Sequence, residues 1–154
     1  HSKLAMVEYS THLQECCFSF LEKAEAETLL AAMKSISYTS GTKVFQKGDP
    51  ADCLYFVLTG RVAVQSKTGF GDRMQVVALL DPGAPVGEKG LLGHKTRGAT
   101  LTAVKDSELL ALPQESFEIL VADAAVSAIK LLKWLLNRVS LRLEKNSERL
   151  THVL

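Results

Sequence analysis

Three cysteines in 154 residues are too few for a disulfide framework, and Cys16, Cys17 and Cys53 are not spaced as metal ligands would be. Reduced thiols, and with them a cytoplasmic setting, are the expectation. Histidine is scarce as well. His12, His94 and His152 lie in dissimilar contexts, and no segment that reads as a strand contains one. This argues against a small β-barrel metalloenzyme, which would need a histidine-rich ligand set. No serine or cysteine sits in a nucleophile motif, so no catalytic residue is assigned and no enzyme activity is expected. An excess of either charge is also lacking: 18 Lys and Arg stand against 17 Asp and Glu, a formal +1, so bulk electrostatics names no partner. The longest apolar stretches are interrupted by Asp123, Lys130 and Lys133, which removes a transmembrane helix and makes a membrane an unexpected partner. The polar N-terminus carries no secretory signal.

What is present reads as one domain over 1–154, mainly β with flanking helices. Over 11–34, Leu13, Cys16, Cys17, Phe20, Leu21 and Ala24, then Leu29, Leu30 and Met33, recur at helical spacing, with a break near 21–25 that separates two short helices. Cys16 and Cys17 belong to that apolar face and are read as packing residues. From Ile36 the period becomes two. Strands are expected through Ile36 and Tyr38, Val44 and Phe45, 53–58, 62–65, 74–80, 100–104 and 108–112, with turns at Ser40-Gly41, Gly48-Asp49-Pro50, Thr59-Gly60, 67–72, Asp81-Pro82-Gly83 and 105–107. Thr59-Gly60 is expected to close a hairpin. So many short strands over 36–112 argue for an antiparallel β-barrel or jelly roll rather than βαβ units. Residues 113–150 read as helices, the first beginning at Pro113 and the second, longer one capped by Asp123.

One loop, 85–100, concentrates the chemistry. Glu88 is followed by glycine and leucines that can wind into a short helix, whose starting N–H groups suit an anion. Arg97 offers a planar fork of donors matched to phosphate oxygens, and Gly98 and Ala99 allow close backbone approach. A carboxylate accepts from sugar hydroxyls. Together these are the parts of a pocket for a nucleoside monophosphate. Gly87-Glu88-Lys89-Gly90-Leu91-Leu92 with Arg97-Gly98-Ala99-Thr100 resembles the phosphate-binding cassette of cyclic nucleotide-binding domains. That family includes regulatory subunits of the cyclic-AMP-dependent kinase, bacterial catabolite activators and cyclic-nucleotide-gated channels. The segment 45–64, with Gly48 and Gly60 at its turns, is similar to the family's early barrel strands. The resemblance implies that Glu88 holds the ribose 2′-hydroxyl, that Arg97 pairs the cyclic phosphate, and that the backbone of Gly87, Gly90, Gly98 and Ala99 lines the cradle. Two positions depart from the family pattern: Val86 where Phe is usual, and Lys89, included among the ligand-binding candidates, where an apolar residue is usual.

In the family a residue of the final helix covers the base, and by counting Arg142 or Arg138 falls there, with Arg142 taken as the candidate. In the family a Thr or Ser directly after the phosphate arginine often goes with a preference for cyclic GMP; here that residue is Gly98, with no hydroxyl, so the resemblance leans the ligand toward cyclic AMP. No cofactor or metal is implied. The same helix carries Ile129, Leu132, Leu136, Val139, Leu143, Asn146 and Leu150 at alternating spacings of three and four, a heptad seam. The seam is open to two readings: a homodimer contact, as in many family members, or packing on the domain's own barrel. The resemblance therefore implies a sensing module whose final helix closes over a cyclic purine nucleotide. The alternatives are an interaction domain that keeps the fold without the ligand, and the sensor part of a transcription regulator. Bacterial relatives carry a DNA-binding domain after this helix. The chain ends at Leu154, so nucleic acid is not an expected partner of this chain alone.

Overall fold

Two antiparallel sheets lie face to face in the computed structural model, which describes residues 2–5, 9–67 and 73–153. The first orders β1 (Ser2–Ala5), β2 (Lys34–Tyr38), β11 (Ser107–Pro113), β5 (Cys53–Thr59) and β8 (Pro85–Val86). The second orders β3 (Lys43–Phe45), β10 (Thr100–Ala103), β6 (Val62–Lys67) and β7 (Met74–Leu80), and a short ribbon pairs β4 (Pro50–Ala51) with β9 (Lys95–Thr96). The helices are α1 (Thr11–Cys17), α2 (Lys23–Ala31), α3 (Gln114–Asp123) and α4 (Ala125–Val153), with a 3-10 turn at Glu88–Leu91. The expected mainly-β architecture with flanking helices is present, as two sheets rather than a closed barrel. From residue 68 to 72 the expected polar turn lies outside the described residues, as do the side chains of Arg149, Leu150 and His152.

The strands β5 and β11 explain why 53–58 reads as an almost unbroken apolar run. Alternate side chains on a strand face opposite ways. Tyr55, Val57, Leu109 and Ala111 enter the core between the sheets, while Leu54, Phe56, Leu110 and Leu112 enter a second core beneath the helices. Both faces are buried, so neither carries polar residues. The helical core adds Leu13, Cys17, Phe18, Leu29, Phe117, Leu120, Leu131 and Leu135. Cys17 is a packing residue, as its spacing implied; burial pushes its thiol up to about 12, far from reactivity.

Three local expectations are corrected. Thr59-Gly60 does not close a hairpin: β11 and β8 occupy both edges of β5, so β6 crosses to the other sheet and pairs with β10 and β7. Pro113 is the last ladder residue of β11, opposite Cys53, and stands just before α3 in an extended conformation. Asp123 does not cap α4. It remains helical at the end of α3, and Ala124 separates the two helices, its carbonyl accepting from Ala128 N–H at 3.3 Å.

The first half of α4 is anchored. Leu131 is fully buried, and Trp134 stacks between Phe20 and Phe56 at centroid distances of 4.6 and 5.5 Å. Lys130 Nζ donates to Glu25 Oε1 on α2 at 2.8 Å. This anchorage fixes the rotation of the helix and so decides which residues of its second half face the cassette. Leu131→Ala should leave a cavity here and cost about 2–5 kcal/mol; urea denaturation measures it, and a loss below about 1 kcal/mol would show that the helix is not held by this contact.

Candidate functional site

The cassette is built between β8 and β10. β8 pairs with β5 through Val86 and Tyr55, and Gly87, at φ 79° and ψ 40°, turns the chain from strand into the 3-10 turn that begins at Glu88. That conformation suits glycine, and a side chain there would also strike Arg97 Nη1. A side chain on Gly90 would run into the backbone of Cys53, so the turn lies directly on β5. On the other side, Arg97 follows β9. Its N–H donates to Asp49 carbonyl at 2.8 Å and its carbonyl accepts from Gly48 N–H at 2.9 Å, which pins its backbone.

The Arg97 side chain is the most unusual group in the described residues. It is only 4% exposed. Nη1 donates to Gly87 carbonyl at 3.0 Å and Nη2 to Cys53 carbonyl at 2.7 Å, and the guanidinium lies 4.2 Å from the centre of the Phe45 ring. Its nearest carboxylate, on Asp52, is 3.9 Å away and 80% exposed. Its Nε is buried with no hydrogen-bond partner. Buried charges are ordinarily paired and buried N–H groups ordinarily bonded. An anion at Nε would supply both, so the residues present fit a phosphate. The N–H groups of Gly98 and Ala99 also take no partner among the described residues. Burial pushes the Cys53 thiol beside Arg97 up to about 11, so it stays protonated and contributes no competing anion.

These groups open onto a cavity of about 540 Å³, in the ordinary range for a small ligand. All of the sequence-derived candidates except Gly90 line it: Gly87, Glu88, Lys89, Arg97, Gly98, Ala99 and Arg142. Gly90 is buried beneath and holds the turn in place. Of the two arginines counted on α4, Arg142 reaches the site, where its Nη2 bonds Glu88 Oε1 at 2.7 Å. Arg138 instead lies over the Trp134 ring at 5.0 Å. Lys145 and Asn146 were not expected in the site, yet they line the cavity with Arg142. Their spacing of three and four from Arg142 places them on one helix face, which is the signal that could have found them. Phe45, Val64, Val77, Ala78 and Leu80 supply an apolar wall.

A cradle for one phosphate, an acid beside it and an apolar wall under a helix define a nucleotide-binding domain on a two-sheet β scaffold. The family profile of the cyclic nucleotide-binding domain matches residues 35–124, and the chain belongs to that family. It is 34% identical over 122 residues to the cyclic AMP receptor protein of Thermus thermophilus, covering 79% of this chain and 56% of that protein. It is 30% identical over 108 residues to the lysophospholipase nte1 of Aspergillus fumigatus, covering 70% of this chain but 7% of that protein. A solved cyclic nucleotide-binding domain from Methylobacillus flagellatus superposes with a TM-score of 0.77 at 25% identity, covering 84% of this chain and 72% of the other. The chain thus spans between about half and a small fraction of the length of these curated relatives. No described helix is long and apolar enough to cross a membrane.

Proposed function

We propose that residues 1–154 act as one regulatory sensing unit that binds a cyclic purine nucleotide, cyclic AMP in preference to cyclic GMP, without catalysing a reaction on it. The observation that carries this reading is the buried Arg97 with its unpartnered Nε at the wall of a cavity that also holds Glu88. Arg97 receives the cyclic phosphate, the backbone of Gly87, Gly98 and Ala99 lets it approach closely, and Glu88 accepts from the ribose 2′-hydroxyl. The preference for adenine draws on Gly98, which has no hydroxyl, and on Asn146. An asparagine amide offers one donor and one acceptor, matching adenine N7 and N6–H2, whereas guanine presents two acceptors, N7 and O6.

Binding acts by shifting a conformational equilibrium. A ligand that touches the cassette and α4 together binds better to the state in which the helix covers the pocket, and so favours it. The Arg142–Glu88 bond at 2.7 Å supports this reading, since it already joins the two. The same bond favours the second reading, an interaction domain without ligand, because Glu88 has a partner of its own. We further propose that the α4 seam pairs two copies of the chain, and that the unit regulates a further segment or partner, as a sensor within a longer protein would.

Isothermal titration of refolded, nucleotide-free protein separates the readings. Saturable binding of cyclic AMP, tighter than that of cyclic GMP, is the expected result; no binding of either would leave the interaction domain. Glu88→Gln should weaken cyclic AMP by roughly 5- to 30-fold, the worth of exchanging a charged for a neutral acceptor. It should also narrow the discrimination against the 2′-deoxy analogue. Discrimination equal to the parent's would remove Glu88 from the ribose role.

A further inference from the structure

Lys89 is a cation that the fold does not use. It is exposed, and its side chain makes no hydrogen bond or ion pair among the described residues, yet it lines the cavity with Arg97. Its ammonium lies over Gly98: a Cβ placed on that glycine would sit 3.3 Å from Nζ. Gly98 is not among the positive-φ glycines, so its backbone does not demand glycine. The missing side chain lets the ammonium lie this close; a methyl group at 98 would ask it to move by a few tenths of an ångström. Arg97 leaves a related gap. Its Nη1 and Nη2 already donate to the carbonyls of Gly87 and Cys53, and Nε is the nitrogen without a partner. A phosphodiester has two non-bridging oxygens, and a guanidinium held in this way is poorly placed to serve both.

We propose that Lys89 is the second cation of the phosphate cradle, its Nζ reaching across Gly98 to the non-bridging oxygen that Arg97 leaves open. The ligand class is a nucleoside cyclic phosphodiester, and the inference rests on the reading of the cavity given above. An ammonium is a point charge with three rotatable donors, so it can serve this oxygen without the fixed geometry that Arg97 requires. Lys89 and Gly98 then act as a pair: a side chain reaching beyond Cβ at 98 would crowd the present position of the ammonium, and a neutral residue at 89 would leave the ledge empty.

Titration with cyclic AMP at several salt concentrations tests this. Lys89→Met should weaken binding about tenfold or more, the worth of one charge-assisted phosphate contact. It should also flatten the decline of affinity with salt, since one screened charge is gone. Lys89→Arg should stay within a few-fold of the parent, and Lys89→Met combined with Gly98→Ser should recover part of the loss by placing a hydroxyl on the ledge. Because Lys89 is exposed, thermal melting should be unchanged in Lys89→Met. If the parent binds cyclic AMP and Lys89→Met binds it within twofold with the same salt dependence, Lys89 has no part in the cradle, while the nucleotide site stands. If the parent binds no cyclic nucleotide, the site reading fails and this inference with it.

Discussion

Arg97→Ala is expected to lower affinity for cyclic AMP by about 10- to 100-fold, and by more if the closed site excludes water. The range is the worth of a charge-assisted contact, about 1.5–3 kcal/mol, and a low local dielectric raises it. The variant also disturbs the fold. The carbonyls of Gly87 and Cys53 lose their donors at 3.0 and 2.7 Å, and the Phe45 ring loses the cation above it. The Gly87 carbonyl still accepts from Gly90 N–H at 2.9 Å, so the cost falls mainly at the Cys53 carbonyl, about 1–3 kcal/mol for a buried acceptor left without its donor, offset in part because an incompletely paired charge leaves the interior. Binding and stability must therefore be read separately, by calorimetric titration and by urea denaturation under one set of conditions. Arg97→Lys sharpens the test: it keeps the charge and loses the planar fork, so it should fall between parent and alanine in affinity. A folded alanine variant that binds cyclic AMP as the parent does would end the case for an anion at Nε.

The cassette was legible because its parts are contiguous and its chemistry is local. Glu88, Arg97 and the glycines between and around them lie within 85–100, and the short helical turn that starts at Glu88 can be read from its own residues. What was not legible depends on distant packing. The hairpin at Thr59-Gly60 fails because β11, some fifty residues further on, takes the edge of β5 that β6 would need. No local pattern carries that competition. Asn146 looked like a seam residue because spacing alone gives a helix a face but not a neighbour. Its place at the cavity follows from Trp134, which stacks between Phe20 and Phe56 and sets the rotation of α4. Lys89 departed from the family pattern, and the role proposed for it rests on its 3.3 Å approach to the position of a Gly98 Cβ, which spacing alone does not carry.

Leu136→Asp is expected to convert a dimer into a monomer, with a halved mass by light scattering at micromolar protein. The side of α4 that meets its own domain carries Ser127, Ala128, Leu131 and Leu135, all buried. The seam lies elsewhere: Ile129, Leu132, Leu136 and Leu143 are 49%, 44%, 66% and 63% exposed, so these four do not pack on the domain's sheets, while Val139 between them is half-buried. A run of exposed leucines at heptad spacing is the pattern two helices use to bury one another. An aspartate at 136 would cost the lone chain little, since the position faces water, but in a paired helix it places an unpaired charge in an apolar interface, at several kcal/mol. Asn146 belongs to both the seam and the cavity wall, which brings the two events into contact. If pairing and ligand binding favour the same position of α4, saturating cyclic AMP must tighten the dimer by the square of the factor by which the dimer tightens cyclic AMP at each of its two sites. Sedimentation with and without ligand measures the first factor, and titration of parent against Leu136→Asp measures the second. Equal masses for parent and variant would show that the seam is not an interface; a dimer unaffected by ligand would keep the interface and remove the coupling.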